Sequence, residues 1–562
     1  MPAPTFVWLR VIVVGAGLVA CGAVAGIVVA APANDTEGRA VDEVFAAWTG
    51  SDRPGCAVAV SRDGTVLYAR GYGMANLEAS LPNGPDTVFD VGSVSKQFTA
   101  MAVLLLVDDG KLGLDDDIRR YLPEIPDYGS TVTVRHLLQH TSGLRNYTDL
   151  FDLAGVPEVS LTTTRDALDL VARQRGVNFR PGQEFLYSDT NYFLAGEIVH
   201  RVSGQSLRDF AQARIFGPLG MTQTRFSDRP REIVPRRAIG YEPTPSGYLN
   251  YQSNFEQVGD GSVLTTVRDL LRWQGNFDQP KVGSPRVMEL MTTPGRLASG
   301  APTPYGMGVF VDDYRGLPWL HHDGEWVGYR AALSRFPTEH LSVAVTCNTI
   351  GAIEPMALNL RVAEVYLHDR WRKPSPSMHS PTATADAGLF WSPERGSMRR
   401  LVAVGDVLML GDAADGDGLM PVGPREYRSS GETASTYRFI NGGTGVPWQL
   451  EVESFGNTAH YYRVPLTNPD PAALPQYAGT YASPDVPAPW RLVVENGQLI
   501  RRQPYAHDVP LDPLFADTFV GALSEGAFLL HFVRDDSGRL TGLLISGELM
   551  RPLLFTRAAT AP

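Results

Sequence analysis

Apolar and small residues alternate along residues 56–73, "CAVAVSRDGTVLYARGYG", on both sides of the pair Asp63-Gly64. Alternation with a period of two is the pattern of a β-strand, and Asp-Gly is a favoured pair in two-residue hairpin turns. The segment therefore predicts a β-hairpin that begins a sheet. Strand-like runs return much later in the chain, at residues 307–313, 328–337 and 341–349.

Between these strands the apolar positions follow the spacing of helices. The segments are residues 93–110, 134–143, 189–204 and 265–277. Apolar residues three and four positions apart form one face of a helix. Residues 38–372 are therefore predicted to form one α/β domain, whose sheet is assembled from both ends of the segment with helices between them.

The C-terminal third has a different pattern. Residues 373–386, "KPSPSMHSPTATAD", are rich in Pro, Ser and Thr and predict a linker. After it, "AGLFWSP" from Ala387 recurs as "AGTYASP" from Ala478, and both copies alternate through glycine-containing turns. We predict two successive β-barrel-like modules, over residues 387–463 and 477–558.

The N-terminal segment is strongly apolar. Residues 11–31 carry no charge and run into a small-x-small cleavage site at Ala31 and Ala33, which predicts a secretory signal peptide over residues 1–33. An uncleaved membrane anchor ranks second, because about 20 apolar residues can span a bilayer. A lipoprotein acylated at Cys21 ranks third. Each alternative predicts export, with the rest of the chain periplasmic, extracellular or anchored on the outer face of a membrane.

Two cysteines follow this segment, Cys56 and Cys347, each in a strand-like run. An oxidising compartment would allow them to form a disulfide. Unpaired cysteine also packs as a small buried hydrophobe, and we expect that arrangement for both.

The charge balance excludes one class of partner. The formal net charge is −12, whereas a nucleic-acid binder needs a cationic surface to displace the counterions of its partner. We therefore expect a small-molecule or peptide substrate and no nucleic acid, with membrane anchoring through the N-terminal segment as the open alternative.

The segment "VFDVGSVSKQFTAMAVLLL", residues 88–106, sets Ser93 three positions before Lys96. On a helix these two side chains share one face and can meet. Lysine occurs at four positions among 49 cationic residues, and a desolvated lysine can accept a proton whereas arginine cannot. The pair is predicted to be the nucleophile and the base of an acyl-transfer enzyme.

Four segments resemble, in order and spacing, the serine β-lactamase and penicillin-recognising family. They are "FDVGSVSKQFTAMAVLLLVDDGKLGLDDDIRRYLPE", "TVRHLLQHTSGL", "FRPGQEFLYSDTNYFLAGEIVHRVSG" and "LHHDGEWVGYRAALSRFP", within about residues 40–370. The likeness is to the class C branch, with its D-alanyl-D-alanine peptidases, D-aminopeptidases and esterases. It implies an α+β sandwich in which helices flank an antiparallel sheet, and the two C-terminal modules resemble those of D-stereospecific aminopeptidases.

The resemblance also implies roles for individual residues. The serine and the lysine match the family's S-x-x-K motif. Tyr187 matches the tyrosine of the Y-x-N motif, which relays protons, and His322 matches the first residue of the third motif, K-T-G or H-x-G. Gly324 and Glu325 would contact substrate, with the backbone N–H groups of Ser93 and Glu325 forming an oxyanion hole.

Asp189 departs from the family pattern, which usually has Asn two residues after the tyrosine. A carboxylate only accepts hydrogen bonds and carries a charge. An ionised Asp189 should keep Lys96 an ammonium, leave more of the base role to Tyr187 and suit a substrate amine. Asn191 stands nearby at the wrong spacing. His322 in place of Lys would also grip a β-lactam carboxylate less strongly.

These observations predict an exported serine hydrolase that forms an acyl-enzyme on amide bonds of small D-amino-acid-containing peptides, like a D-aminopeptidase or a DD-peptidase. The alternatives are a carboxylesterase or β-lactamase of the same fold, and a non-catalytic penicillin-binding receptor of the envelope. We expect no cofactor and no metal. His136 and His140 have the spacing of a zinc site but lack the glutamate of a zincin motif.

Overall fold

A computed structural model of the chain describes residues 36–351, 353–371, 378–411, 417–429, 435–440, 449–465, 470–504, 506–522 and 527–558. The predicted signal or anchor segment, residues 1–33, lies outside the described residues. Within the described ranges, no helix combines the length and the apolar character needed to cross a membrane.

Within its described residues, the first domain contains fifteen strands. They are β1 (Cys56–Arg62), β2 (Thr65–Tyr72), β3 (Met74–Asn76), β4 (Leu81–Pro82), β5 (Phe89–Asp90), β6 (Leu161–Thr162), β7 (Arg225–Phe226), β8 (Tyr241–Thr244), β9 (Gly247–Asn250), β10 (Asn254–Phe255), β11 (Val263–Thr265), β12 (Phe310–Tyr314), β13 (Leu317–Trp326), β14 (Tyr329–Phe336) and β15 (Leu341–Cys347). Six of them form the main sheet, in the order β12-β13-β14-β15-β1-β2. Every pairing in this sheet is antiparallel. Because β1 lies beside β15, both ends of the domain build the sheet, as predicted.

The helices of this domain occupy both faces of the sheet. They are α1 (Thr36–Val44), α2 (Lys96–Asp108), α3 (Val134–Leu138), α4 (Tyr147–Leu153), α5 (Thr164–Ala172), α6 (Asp189–Ser203), α7 (Leu207–Ala211), α8 (Gly217–Leu219), α9 (Val267–Asp278), α10 (Pro285–Thr292) and α11 (Pro355–Leu367). Val58 and Val60 of β1 point to the side of α1 and α11, whereas Ala57 and Ala59 point to the side of α2 and α9. Alternate residues of a strand face opposite sides, so β1 is buried throughout.

Helix α2 lies in the middle of the domain. Each residue from Lys96 to Leu106 is buried, so this part of the helix is enclosed on all sides and has no solvent face. The sequence predicted a helix from Ser93 onward. Ser93 instead lies in a 3-10 turn, Gly92–Ser95, directly before α2.

Two closed eight-stranded barrels follow, which confirms the predicted β-modules. A short helix, α12 (Ala383–Asp386), precedes the first barrel, whose strands are β16 (Gly388–Ser392), β17 (Ser397–Val404), β18 (Val407–Leu410), β19 (Asp417–Gly423), β20 (Glu426–Ser429), β21 (Thr436–Ile440), β22 (Gln449–Ser454) and β23 (Asn457–Val464). The second contains β24 (Gly479–Ala482), β25 (Trp490–Glu495), β26 (Gln498–Arg502), β27 (Val509–Phe515), β28 (Thr518–Ala522), β29 (Ala527–Arg534), β30 (Leu540–Ser546) and β31 (Leu553–Arg557).

The internal repeat extends to the closure of each barrel. The first and last strands pair in both, β16 with β23 and β24 with β31. In the first barrel the Arg463 guanidinium donates to the carbonyl of Ala387, and in the second Arg557 donates to the carbonyl of Ala478 at 2.6 Å. The two alanines are the residues at which the repeated sequences begin.

The expectation of two free thiols is wrong. Cys56 of β1 and Cys347 of β15 are direct partners across the two strands, and their sulfur atoms are 2.07 Å apart in a disulfide. Both residues are fully buried. The sequence showed two strand-like runs, but it did not show that these strands pair with each other. Their pairing brings the two sulfur atoms together.

Candidate active site

Ser93 and Lys96 meet at the start of α2. The Lys96 ammonium nitrogen, Nζ, lies 2.8 Å from Ser93 Oγ, 2.7 Å from Asp189 Oδ1 and 2.8 Å from the carbonyl oxygen of Asp260. The lysine side chain has 0% of its surface exposed. Three acceptors match the three protons of an ammonium group, so this is the geometry of a charged lysine bound to a charged aspartate.

Helix α6 supplies Asp189. The residue opens the helix, and its backbone N–H donates to Asn146 Oδ1 at 2.8 Å. The positive end of a helix dipole favours a carboxylate at this position. Asn191 does not substitute for the family asparagine, since its side chain pairs with His140 at 3.1 Å and with Ser142 at 2.5 Å.

Tyr187 covers this pair. Its ring stacks on His140, with centroids 4.2 Å apart, and the Lys96 nitrogen lies 4.7 Å from the ring centroid. Burial, and then the Asp189 carboxylate, hold the pKa of the Tyr187 phenol well above its usual value, while the nearby Ser93 hydroxyl acts in the opposite direction. The phenol oxygen is buried and makes no aligned hydrogen bond with any described residue. A neutral phenol is therefore favoured over a phenolate, and it can donate or relay a proton.

His322 lies on β13, with its ring centroid 6.1 Å from that of Tyr187. Its Nδ1 donates to the carbonyl oxygen of Asp323 at 2.6 Å, and its Nε2 accepts from the Tyr305 hydroxyl at 3.0 Å. Burial lowers the pKa of His322 to about 4. The imidazole is therefore neutral at physiological pH. Its two nitrogens are occupied by Tyr305 and Asp323, and these hydrogen bonds fix the imidazole near Tyr187.

The C-terminal half of β13 is an open sheet edge beside the serine. On one side, strand β12 pairs with residues 317–321 of β13 and ends there. Among the described strands, residues 322–326 therefore pair only with β14, on the other side. One face of this segment packs on the Gly92–Ser95 turn, where a Cβ added to Gly324 would meet Val91 and Ser93. An extended substrate could lie along such an edge with its main chain aligned to the strand.

Two glycines permit this packing. A Cβ added to Gly92 would lie 2.7 Å from the backbone nitrogen of Glu325, and one added to Gly324 would lie 3.1 Å from the backbone nitrogen of Ser93. Such close approach of backbone to backbone requires residues without a side chain. The amides of Ser93 and Glu325 thus lie on adjoining segments, the arrangement that an oxyanion hole needs.

Sequence reasoning missed Asp260. Its carbonyl binds Lys96, and its carboxylate, in a residue only 8% exposed, accepts from the Tyr147 hydroxyl at 2.9 Å. Burial, and then the charge of Asp189, raise the pKa of Asp260 to about 7. The one signal in the sequence is an acidic residue between two glycines, Gly259 and Gly261. That pattern is too common to single out a site.

Asp260 should make the free energy of unfolding depend on pH. Its pKa is about 7 in the folded chain, against an ordinary value of 3.8, so folded protein binds this proton more tightly than unfolded protein. The stabilisation is complete below about pH 4 and is lost as the pH rises through about 7. Asp260→Asn should remove this loss, so that the variant gains about 2.5 kcal/mol relative to wild type between pH 5 and pH 8. Urea unfolding at both pH values measures the difference, and equal pH dependence in the two proteins would contradict it.

No group of three or more His, Cys, Asp or Glu side chains within the described ranges is arranged to hold a metal ion. The two histidines with zinc-like spacing have separate partners. His136 Nδ1 accepts from the backbone N–H of Thr133 at 3.2 Å, and His140 Nδ1 accepts from that of Ser188 at 3.1 Å. Each therefore fixes a different piece of backbone.

Solved structures share this fold. An octameric penicillin-binding protein homologue from Pyrococcus abyssi has a TM-score of 0.53 and 23% identity, with 76% of this chain and 99% of that chain covered. The D-amino acid amidase from Ochrobactrum anthropi SV3, solved with L-phenylalanine amide, has a TM-score of 0.50 and 25% identity, over 59% of this chain and 99% of that chain.

The sequence comparisons agree. A D-aminopeptidase from Brucella canis is 27% identical over 525 residues, which cover 90% of this chain and 96% of that protein. A D-aminopeptidase from Gluconobacter oxydans is 30% identical over 331 residues, or 59% of this chain and 62% of that protein. Residues 40–368 match the family described as Beta-lactamase, and this is more than half of the chain. The chain therefore belongs to the beta-lactamase family and is a serine hydrolase.

Proposed function

We propose that this hydrolase is a D-aminopeptidase, which removes D-amino-acid residues from the amino end of small peptides or amides. The observation that carries the proposal is the Asp189 carboxylate, bound to Lys96 beside Ser93 and 15% exposed. It puts a negative charge where relatives with asparagine have a neutral amide. Because this charge offsets that of Lys96, the site should accept a substrate ammonium more readily, and a substrate carboxylate less readily, than a site with asparagine. Two relatives named D-aminopeptidase support the same activity.

Further carboxylates stand near this side of the site. Burial raises the pKa of Asp149 to about 7, and the charges of Asp152, Asp189 and Glu548 add to the increase. Glu548 follows β30 of the second barrel, so that barrel contributes to the negative potential. Charges of one sign around a cleft raise the local concentration of the opposite charge, which favours an amine-bearing substrate.

The proposed reaction begins with attack of Ser93 Oγ on the carbonyl carbon of the substrate. The serine proton passes to Lys96 while the ammonium passes one of its protons to Asp189. The backbone N–H groups of Ser93 and Glu325 stabilise the oxyanion. The Tyr187 phenol then protonates the departing amine as the C–N bond breaks, and it regains a proton from the Lys96–Asp189 pair. Water hydrolyses the resulting ester by the same steps in reverse.

The proposal predicts a preference that a single assay format can measure. Release of p-nitroaniline from D-alanine p-nitroanilide should exceed release from the L isomer by at least about tenfold in kcat/KM, a modest stereochemical discrimination of about 1.4 kcal/mol. Ser93→Ala should abolish both reactions. Equal rates for the isomers, together with faster cleavage of a short p-nitrophenyl ester, would identify an esterase and overturn the proposal.

A further inference from the structure

The first barrel holds the segment that carries Tyr187. The backbone N–H of Phe185 donates to Asn457 Oδ1 at 3.1 Å, and Asn457 Nδ2 donates to the carbonyl oxygen of Phe185 at 2.8 Å. One side-chain amide thus satisfies both polar groups of a single backbone residue, as a neighbouring β-strand would. Asn457 is 8% exposed, so these two hydrogen bonds are shielded from water.

The hairpin tip, residues Phe455–Asn457, comprises the turn after β22 and the first residue of β23, and it is fitted closely into the first domain. The Phe455 ring stacks on that of Phe185 with centroids 5.1 Å apart. Gly456 has a φ of 75°, and a Cβ added there would lie 2.6 Å from the carbonyl oxygen of Pro302. The tip therefore contacts two segments of the first domain, one of them two residues from Tyr187.

Both barrels bind the preceding residue, Glu184. Its carboxylate lies 3.1 Å from Arg395 of the first barrel and 3.0 Å from Arg551, which follows β30 of the second barrel. The exposed fractions of these side chains are 27% for Glu184, 13% for Arg395 and 14% for Arg551. Partly buried bridges of this kind are screened less than surface pairs, so they reinforce the attachment made by Asn457.

The attachment matters because the contact of the Tyr187 hydroxyl with the nearby Ser93 hydroxyl is not an aligned hydrogen bond, and no other described residue supplies one. The ring is held by stacking, and the adjacent backbone by His140, whose carbonyl accepts from Leu186 N–H at 3.0 Å and whose Nδ1 accepts from Ser188 N–H at 3.1 Å. The position of the phenol oxygen therefore follows the backbone from Phe185 onward. Displacement of a catalytic group by about 1 Å can cost a hundredfold in rate.

We propose that Asn457 and Phe455 of the first barrel are positioning residues for Tyr187. The barrel would then contribute residues that position a catalytic side chain of the neighbouring domain. The inference rests on the proposed proton-transfer role of Tyr187. It assigns the hairpin tip a contribution to the chemical step, beyond holding the domains together.

The test uses the full-length chain and D-alanine p-nitroanilide. Asn457→Asp keeps the size of the side chain and its acceptor for Phe185 N–H, but it sets a carboxylate oxygen against the Phe185 carbonyl. We expect kcat to fall about tenfold and KM to change less than about twofold, because the tyrosine acts in the transition state. Phe455→Leu, a milder change, should lower kcat in the same direction. Asn496→Asp, in an exposed turn of the second barrel, is the matched control and should behave as wild type.

A double variant separates positioning from general damage. Once Tyr187→Phe has removed the hydroxyl, adding Asn457→Asp should cost less than about twofold more in kcat, since groups that act as a unit are non-additive. A full additional tenfold loss in the double variant, or wild-type kcat in both single variants, would overturn the inference. If Ser93→Ala retained activity, the proposed function would fail instead, so the two failures are distinguishable.

Discussion

Replacing Lys96 by arginine should lower kcat by about three to four orders of magnitude while the protein remains folded. Arginine keeps the positive charge that pairs with Asp189. Its guanidinium does not release a proton near neutral pH and so cannot accept one from the serine. The buried lysine pocket also fits a compact ammonium with three acceptors, and a planar guanidinium cannot reach all three.

The measurement is steady-state hydrolysis of D-alanine p-nitroanilide, together with thermal unfolding to establish that the variant is folded. Lys111→Arg is the matched control, because Lys111 is 56% exposed and pairs only loosely with Asp109, at 3.6 Å. That variant should retain wild-type kcat. A Lys96→Arg enzyme within about tenfold of wild type would show that the lysine serves as a charge and that the proton leaves the serine by another route.

Local features of this site could be predicted from the sequence, because they are set by short spacing. Ser93 and Lys96 are three residues apart, and one turn of helix brings their side chains to 2.8 Å. Asp189 and Lys96 are far apart in the sequence. Their proximity could be expected only because both segments match motifs that form one site in the family they resemble. Where a motif fixes the neighbourhood, the substitution of a carboxylate for an amide is visible in the sequence alone.

The remaining contacts depend on the three-dimensional arrangement of distant segments. Asp260 reaches Lys96 through its backbone carbonyl, which any residue could supply, so its identity carried no signal. Asn457 and Phe185 are 272 positions apart, and an asparagine at the start of a strand is unremarkable in a sequence. The disulfide partner of Cys56 was missed for the same reason, because strand order is set by the packing of the whole sheet.

The negative charge of Asp189 should decide between amine-bearing and carboxylate-bearing substrates, and Asp189→Asn tests this. The variant keeps an oxygen acceptor for Lys96 but removes the negative charge. At a separation of about 6 Å and an effective dielectric constant of about 20, a unit charge contributes about 3 kcal/mol, or roughly a hundredfold. The charge acts with opposite sign on the two substrates, so we expect the ratio of kcat/KM for benzylpenicillin to kcat/KM for D-alanine p-nitroanilide to rise by at least about a hundredfold.

The ratio isolates selectivity from general effects on the catalytic pair. Loss of the Asp189 charge also removes a group that raises the pKa of Tyr187, and this change acts on both substrates through the same proton path. Asp166→Asn is the matched control, since Asp166 is likewise in the first turn of a helix, α5, but caps it through Thr163. An unchanged ratio in Asp189→Asn would mean that the carboxylate does not select the substrate. The preference for amines would then have to come from the more distant carboxylates around Asp149.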